Sequence, residues 1–248
     1  MTNKTLLKLL LEEMKMGLKG GPYHQTQVKL AYNSNRIEGS RLSEDQTRYI
    51  SETNTIHMAP EEAASVDDII ETVNHFTCFD YMLNVAHEDL SEVLIKEFHR
   101  ILKRTTSDER KEWFRVGDYK TRPNAVGDMK TTAPGKVAGA VAKWLAAYHQ
   151  KPSRSLEDIV DFHYEFESIH PFQDGNGRVG RIIMFKECLK YDIMPFIIDH
   201  EHKLFYYRGL KEYRSEKGDL MDTCLSAQDR YEALVDYFFP ELGNTDSI

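Results

Sequence analysis

Two stretches of helical period meet at residues 168–181, SIHPFQDGNGRVGR, and that junction constrains the fold more than any other segment. Leu156, Ile159, Val160, Phe162, Phe166 and Ile169 recur at three- and four-residue steps before it. Val179, Ile182, Ile183, Cys188 and Leu189 do the same after it. A tight turn between two helices is therefore predicted. Gly175 and Gly177 are poor helix formers, so their place at the turn reads as room for close backbone approach and for N–H groups converging on an anion. The second helix is predicted to begin at Asn176 or Gly177, which aims its free N–H groups and positive dipole end at the same point.

Arg178 and Arg181 lie three apart on the first turn of that helix, where the dipole disfavours each cation by about 0.3–1 kcal/mol. A strongly anionic ligand, best a polyphosphate, would offset this. Asp174 beside the cradle suits Mg²⁺ shared with phosphate oxygens. Imidazole takes protons near neutral pH, so His170 at the end of the incoming helix reads as a base. Base, metal ligand, anion cradle and charge clamp together make a phosphoryl or nucleotidyl transfer site. Gly175, Gly177 and Gly180 also spell G-x-G-x-x-G, but that dinucleotide fingerprint needs a preceding strand, and here a helix precedes it.

The rest of the chain supports an all-α fold. Helices are predicted near 42–51, 66–87, 91–104, 135–149, 155–169, 178–190 and 228–239, and Ser43 with Gln46 forms a capping-box pattern. The N-terminal segment reads as an amphipathic helix and not as a secretory signal. Residues 117–135 break the pattern and read as an exposed loop or short hairpin. The chain's 248 residues suit one large domain, or a catalytic core with a smaller N-terminal extension. A net charge of −8 argues against a general nucleic-acid surface. No apolar run is long enough for a membrane span. Three scattered cysteines suggest reduced thiols, so a cytoplasmic location is predicted.

His-x-Phe-x-Asp-Gly-Asn-Gly-Arg-x-x-Arg, matched here at every specified position, resembles the signature of the Fic family. Weaker similarity extends over most of the chain, including IKEFHRILKR at 95–104. The resemblance implies a Fic-type helical bundle with a short β-hairpin flap at 117–135 that docks the target, and a division into a helical region at 1–88, a catalytic core at 89–240 and a tail at 241–248. It implies transfer of AMP from ATP, with Mg²⁺ or alternatively Mn²⁺, to a Ser, Thr or Tyr hydroxyl of a target protein. His170 would then deprotonate the hydroxyl and Asp174 would hold the metal. Asn176, with the backbone around Gly175 and Gly177, would hold the α-phosphate; Arg178 and Arg181 would contact the β- and γ-phosphates. Tyr206 and Tyr207 lie where relatives contact the nucleotide region. Ser34, Glu38 and Gly39 in NSNRIEGS match the family's inhibitory pattern, in which the glutamate pairs with the second arginine, here Arg181.

Three alternatives stay open: another donor, removal of AMP, or a non-catalytic nucleotide-sensing module. A homo-oligomer is compatible with the sequence. Thr121, Thr131 and Thr132 of the flap are candidate self-modification sites. His75, His99 and His163 sit within helical patterns and are expected to be packed. His200 and His202, two apart, are not expected to bind zinc. Trp113 and Trp144 are expected in the core or under the flap.

Overall fold

The apolar spacing of the sequence becomes a set of ten α-helices among the described residues, 3–127 and 129–239, of a computed structural model. They are α1 (Asn3–Met16), α2 (Pro22–Ile37), α3 (Glu44–Thr53), α4 (Val66–Asn84), α5 (Glu92–Lys103), α6 (Val137–His149), α7 (Leu156–Ile169), α8 (Asn176–Lys190), α9 (Lys203–Glu212) and α10 (Gly218–Phe238). The sole sheet among the described residues is a two-stranded antiparallel hairpin, β1 (Ala125–Val126) with β2 (Met129–Lys130). The tail expected at 241–248 lies outside the described residues.

α8 is the axis of the fold. It packs against α7, α5, α4, α2 and α1, and all but two of its residues are buried. A helix enclosed on every side must neutralise its own charges. Lys186 and Glu187, both fully buried, do so as a pair 2.8 Å apart. The Lys186 ammonium also donates to the Glu88 carbonyl, and Tyr148 donates to Glu187.

Local chemistry sets the element ends. Ser43–Gln46 forms the capping box expected of α3, and Ser155–Asp158 forms another at the start of α7. α10 begins at Gly218 and not near 228. Its first turns bury only Leu220, Cys224 and Ala227, one residue per turn on the side that packs on α9, which is too sparse to register as an apolar period. Trp144 is buried and stacks on Phe162 at 3.8 Å. Trp113 stands beside the hairpin segment with the Arg122 guanidinium 5.0 Å above its ring. No described helix is long and apolar enough to cross a membrane.

Candidate active site

α7 ends at His170, which adopts a left-handed conformation (φ 50°) while its N–H still donates to Phe166 O at 2.9 Å. Pro171 follows and stops the helix. Phe172 then turns inward, fully buried, and stacks on His99 with centroids 4.0 Å apart and rings nearly parallel. The loop is closed by Asn176. Its side-chain oxygen accepts from Phe172 N at 2.8 Å, and its amide donates to Phe172 O at 2.9 Å. The Asn176 side chain, expected to touch phosphate, is thus spent on shaping the turn and is 1% exposed. What the turn can offer an anion is backbone N–H.

Gly175 sits at φ +81° as the N-cap of α8, a conformation that favours glycine. At Gly177 a Cβ would overlap the Glu38 carboxylate. The acid therefore lies directly against the first turn of α8, in the space an anion drawn by that helix end would take.

Arg178 is 3% exposed and holds Glu71 at 2.5 Å and Asp174 at 3.0 Å. Arg181, also 3% exposed, holds three oxygens at the end of α2: Ser34 Oγ at 3.0 Å, Ser34 O at 3.0 Å and Glu38 Oε1 at 2.7 Å. Glu38 caps α2, and Gly39, at φ +104°, turns the chain away. The anticipated contact between Glu38 and Arg181 is therefore present.

Asp174 accepts from Lys103 at 2.7 Å as well as from Arg178. Burial works against its charge, but Arg178 and Lys103 outweigh burial and hold the carboxyl well below the usual range. No group of three or more metal-ligating side chains occurs among the described residues. A single half-exposed, ionised carboxylate fits a dication such as Mg²⁺, which keeps several waters and shares phosphate oxygens.

Lys103 and Glu71 were not among the sequence candidates. Lys103 is 2% exposed and bonds Glu71, Asp108 and Asp174 at 2.6–2.7 Å. It lies one turn after His99 on the apolar face of α5, and a charge continuing an apolar stripe was the available signal. Each cation of the site, Lys103, Arg178 and Arg181, is thus matched by a carboxylate.

Three histidines support the site as packed neutral groups. His99 Nδ1 accepts from Gly117 N at 2.9 Å, which leaves Nε2 to face Asp174 O at 3.1 Å. Burial pushes His99 and His75 down to about 3 and His163 to about 4. The Tyr206 ring is 1% exposed, with its hydroxyl 2.6 Å from His163 Nε2 and its centroid 5.9 Å from the Arg181 guanidinium. It supports Arg181 from within the core. Tyr207 is 41% exposed and donates to Ile37 O at 3.1 Å, beside Glu38, so it is the one of the two able to reach a ligand.

The hairpin is anchored to the turn. Asn124 Nδ2 donates to Phe172 O at 3.0 Å, and Lys120, 4% exposed, donates to Asn124 and Thr131. Thr131 donates to Asn124, and the Thr121 hydroxyl is engaged with Trp113 O. Two of the three flap threonines therefore have committed hydroxyls.

Residues 89–188 match the model of the Fic/DOC family. The chain is 27% identical over 210 residues to a protein named "Protein adenylyltransferase Fic" from Drosophila persimilis, covering 84% of this chain and 40% of that protein. The protein of that name from Drosophila melanogaster is 26% identical, with 84% and 41% covered. The chain thus spans about two-fifths of the length of the curated relatives it matches. Among solved structures, a Fic domain containing signaling protein from Bacteroides thetaiotaomicron has a TM-score of 0.71 at 23% identity, with 95% of this chain and 91% of that chain covered. Fic-1 from C. elegans has a TM-score of 0.64 at 21% identity, with 96% and 70% covered. These two likenesses show the shared helical fold.

Proposed function

We propose that this chain is a member of the Fic/DOC family, whose model its residues 89–188 match, that it transfers AMP from ATP to a hydroxyl of a target protein, and that Glu38 restrains the transfer. The observation that carries this reading is the meeting of Asp174, Arg178 and Arg181 at the N-terminal turns of α8, with the Glu38 carboxylate against Gly177 where an anion would sit and His170 capping the helix that leads into the turn. On this reading residues 1–88 supply the restraint and 89–240 the core.

His170 takes the proton of the target hydroxyl as its oxygen bonds to the α-phosphorus, the bond to the bridging oxygen breaks, and pyrophosphate leaves. The N–H groups of the first turn of α8 stabilise charge developing on the phosphoryl oxygens. Arg178 and Arg181 orient the polyphosphate as it displaces carboxylates from them. Asp174 would hold Mg²⁺, which when bound supplies charge neutralisation between phosphates. With Glu38 on Arg181, one cation of the clamp is withdrawn and the nucleotide loses the alignment that in-line attack requires.

Intact-protein mass spectrometry with ATP and Mg²⁺ tests donor, restraint and base together. The Glu38→Gly protein, alone or with a target extract, is expected to generate an AMP adduct that is weak with wild type and absent with Glu38→Gly/His170→Ala. Equal labelling by wild type and Glu38→Gly would remove the restraint. Labelling that survives His170→Ala at full rate would remove the base.

A further inference from the structure

Glu167 stands one turn before His170 on α7, and its Oε2 lies 3.6 Å from His170 Nδ1. The two side chains are 13% and 17% exposed, and Nδ1 has no hydrogen-bond partner within ordinary bonding distance. The carboxylate is held in place from the other side by α8. A Cβ at residue 180 would come within 2.8 Å of Glu167 Oε1 and 2.7 Å of the His163 ring. Gly180 therefore lets α8 close over these two groups, which gives the third glycine of the apparent dinucleotide fingerprint a packing role. His163 is itself fixed by Tyr206 at 2.6 Å. Burial disfavours the Glu167 charge, but the facing His170 ring and the Arg181 guanidinium act against burial and hold the carboxyl below its usual range.

An ionised carboxylate accepts hydrogen bonds and cannot donate them. Facing Nδ1, it favours the imidazole tautomer that carries its proton there, and the lone pair is then on Nε2. We propose that Glu167 is a positioning residue for the transfer, selecting the Nδ1–H tautomer of His170 so that Nε2 receives the proton of the target hydroxyl. The inference rests on the reading of His170 as the base. In the step itself the hydroxyl proton moves to Nε2 as the oxygen–phosphorus bond forms and the bond to pyrophosphate breaks. The imidazolium so formed keeps its Nδ1–H on the carboxylate. A separation of 3.6 Å is long for a hydrogen bond, and such contacts commonly tighten when substrate binds.

A merely structural Glu167, one that only fills the space over Gly180, would leave the tautomer indifferent to the carboxylate. Long-range ¹H–¹⁵N NMR of the full chain above neutral pH distinguishes the two, with the His170 signals assigned by their loss in His170→Ala. Wild type is expected to show the Nδ1–H form. Glu167→Gln can present an amide N–H to Nδ1 and is expected to shift His170 toward the Nε2–H form. In the Glu38→Gly background the same substitution is expected to lower kcat for AMP transfer about 100-fold, with KM for ATP unchanged. A wild-type His170 in the Nε2–H form overturns the proposal, even if the variant does not fold. An unchanged tautomer in a folded Glu167→Gln protein overturns it as well. The NMR reading needs neither nucleotide nor target, so absence of AMP transfer from every variant would count against the proposed function and leave the tautomer result standing.

Discussion

Arg181 is buried against three oxygens, and they are not equivalent. Glu38 supplies a charge at 2.7 Å, whereas Ser34 supplies a hydroxyl and a carbonyl, each at 3.0 Å. Removing the acid takes away both the ion pair and the occupant of the space beside Gly177. Removing the hydroxyl takes away one hydrogen bond to a charged donor, worth about 1.5–3 kcal/mol, and leaves the acid in place. Initial rates of AMP incorporation are therefore expected to rank Glu38→Gly above Ser34→Ala and Ser34→Ala above wild type, with Ser34→Ala rising about 10-fold, the lower end of that range. Equal rates for the two variants would mean that the charge is not what restrains Arg181. The four-residue spacing of Ser34 and Glu38 predicts a shared helix face, and that prediction holds because one helix end dictates it. Glu71 and Lys103 escape such reasoning. Their links to the phosphate turn, Lys103 to Asp174 and Glu71 to Arg178, each span more than 70 residues of sequence, and nothing local marks a buried charge until the helices are packed.

Among the elements, the flap hairpin depends most on contacts outside itself. Two residues per strand cannot hold a hairpin in water, so its position relies on Asn124 and Lys120. Asn124 bonds the Phe172 carbonyl in the very turn that follows His170, and Lys120 N donates to Pro171 O at 2.9 Å. Burial brings the Lys120 ammonium down to about 8, and it remains the donor that ties Asn124 to Thr131. Asn124→Ala breaks the junction without touching the phosphate clamp. It is expected to reduce transfer to an external protein about 10-fold, from the loss of one or two net hydrogen bonds, with nucleotide affinity by calorimetry unchanged. A matching loss of nucleotide affinity would show instead that Asn124 shapes the phosphate turn. The hairpin was readable as a break in helical period, whereas its docking on the turn was not, because Asn124 in a polar loop resembles any turn residue. α8 was readable from Gly175 onward, since its cap and its apolar run agree.

For the molecule as a whole, the three neutral histidines make acid stability a measurable consequence of how the site is built. His75, His99 and His163 pack around α8 from α4, α5 and α7, and burial is the first cause of each depression, to about 3, 3 and 4 from an ordinary 6.5. In the unfolded chain these imidazoles bind protons below about 6.5, while in the folded chain they resist until well below 5. The unfolded state therefore binds more protons in that window. Stability should be at its full value above pH 6.5 and fall as pH drops, by on the order of 1.4 kcal/mol per unit for each histidine. Between pH 7.5 and 5.5 the total is expected to be about 2–4 kcal/mol, measured by urea denaturation at each pH. His75 offers the cleanest control, since neither of its ring nitrogens has a hydrogen-bond partner while Arg178 and Arg181 stand close enough to oppose its charge. His75→Leu should retain the packing, lose one of the three proton linkages and flatten the slope by about a third. A wild-type free energy that stays level across the interval would mean that these rings already carry protons in the folded state. The charge balance of Arg178 and Arg181 with Glu71 and Glu38 would then have to be redrawn around cationic histidines.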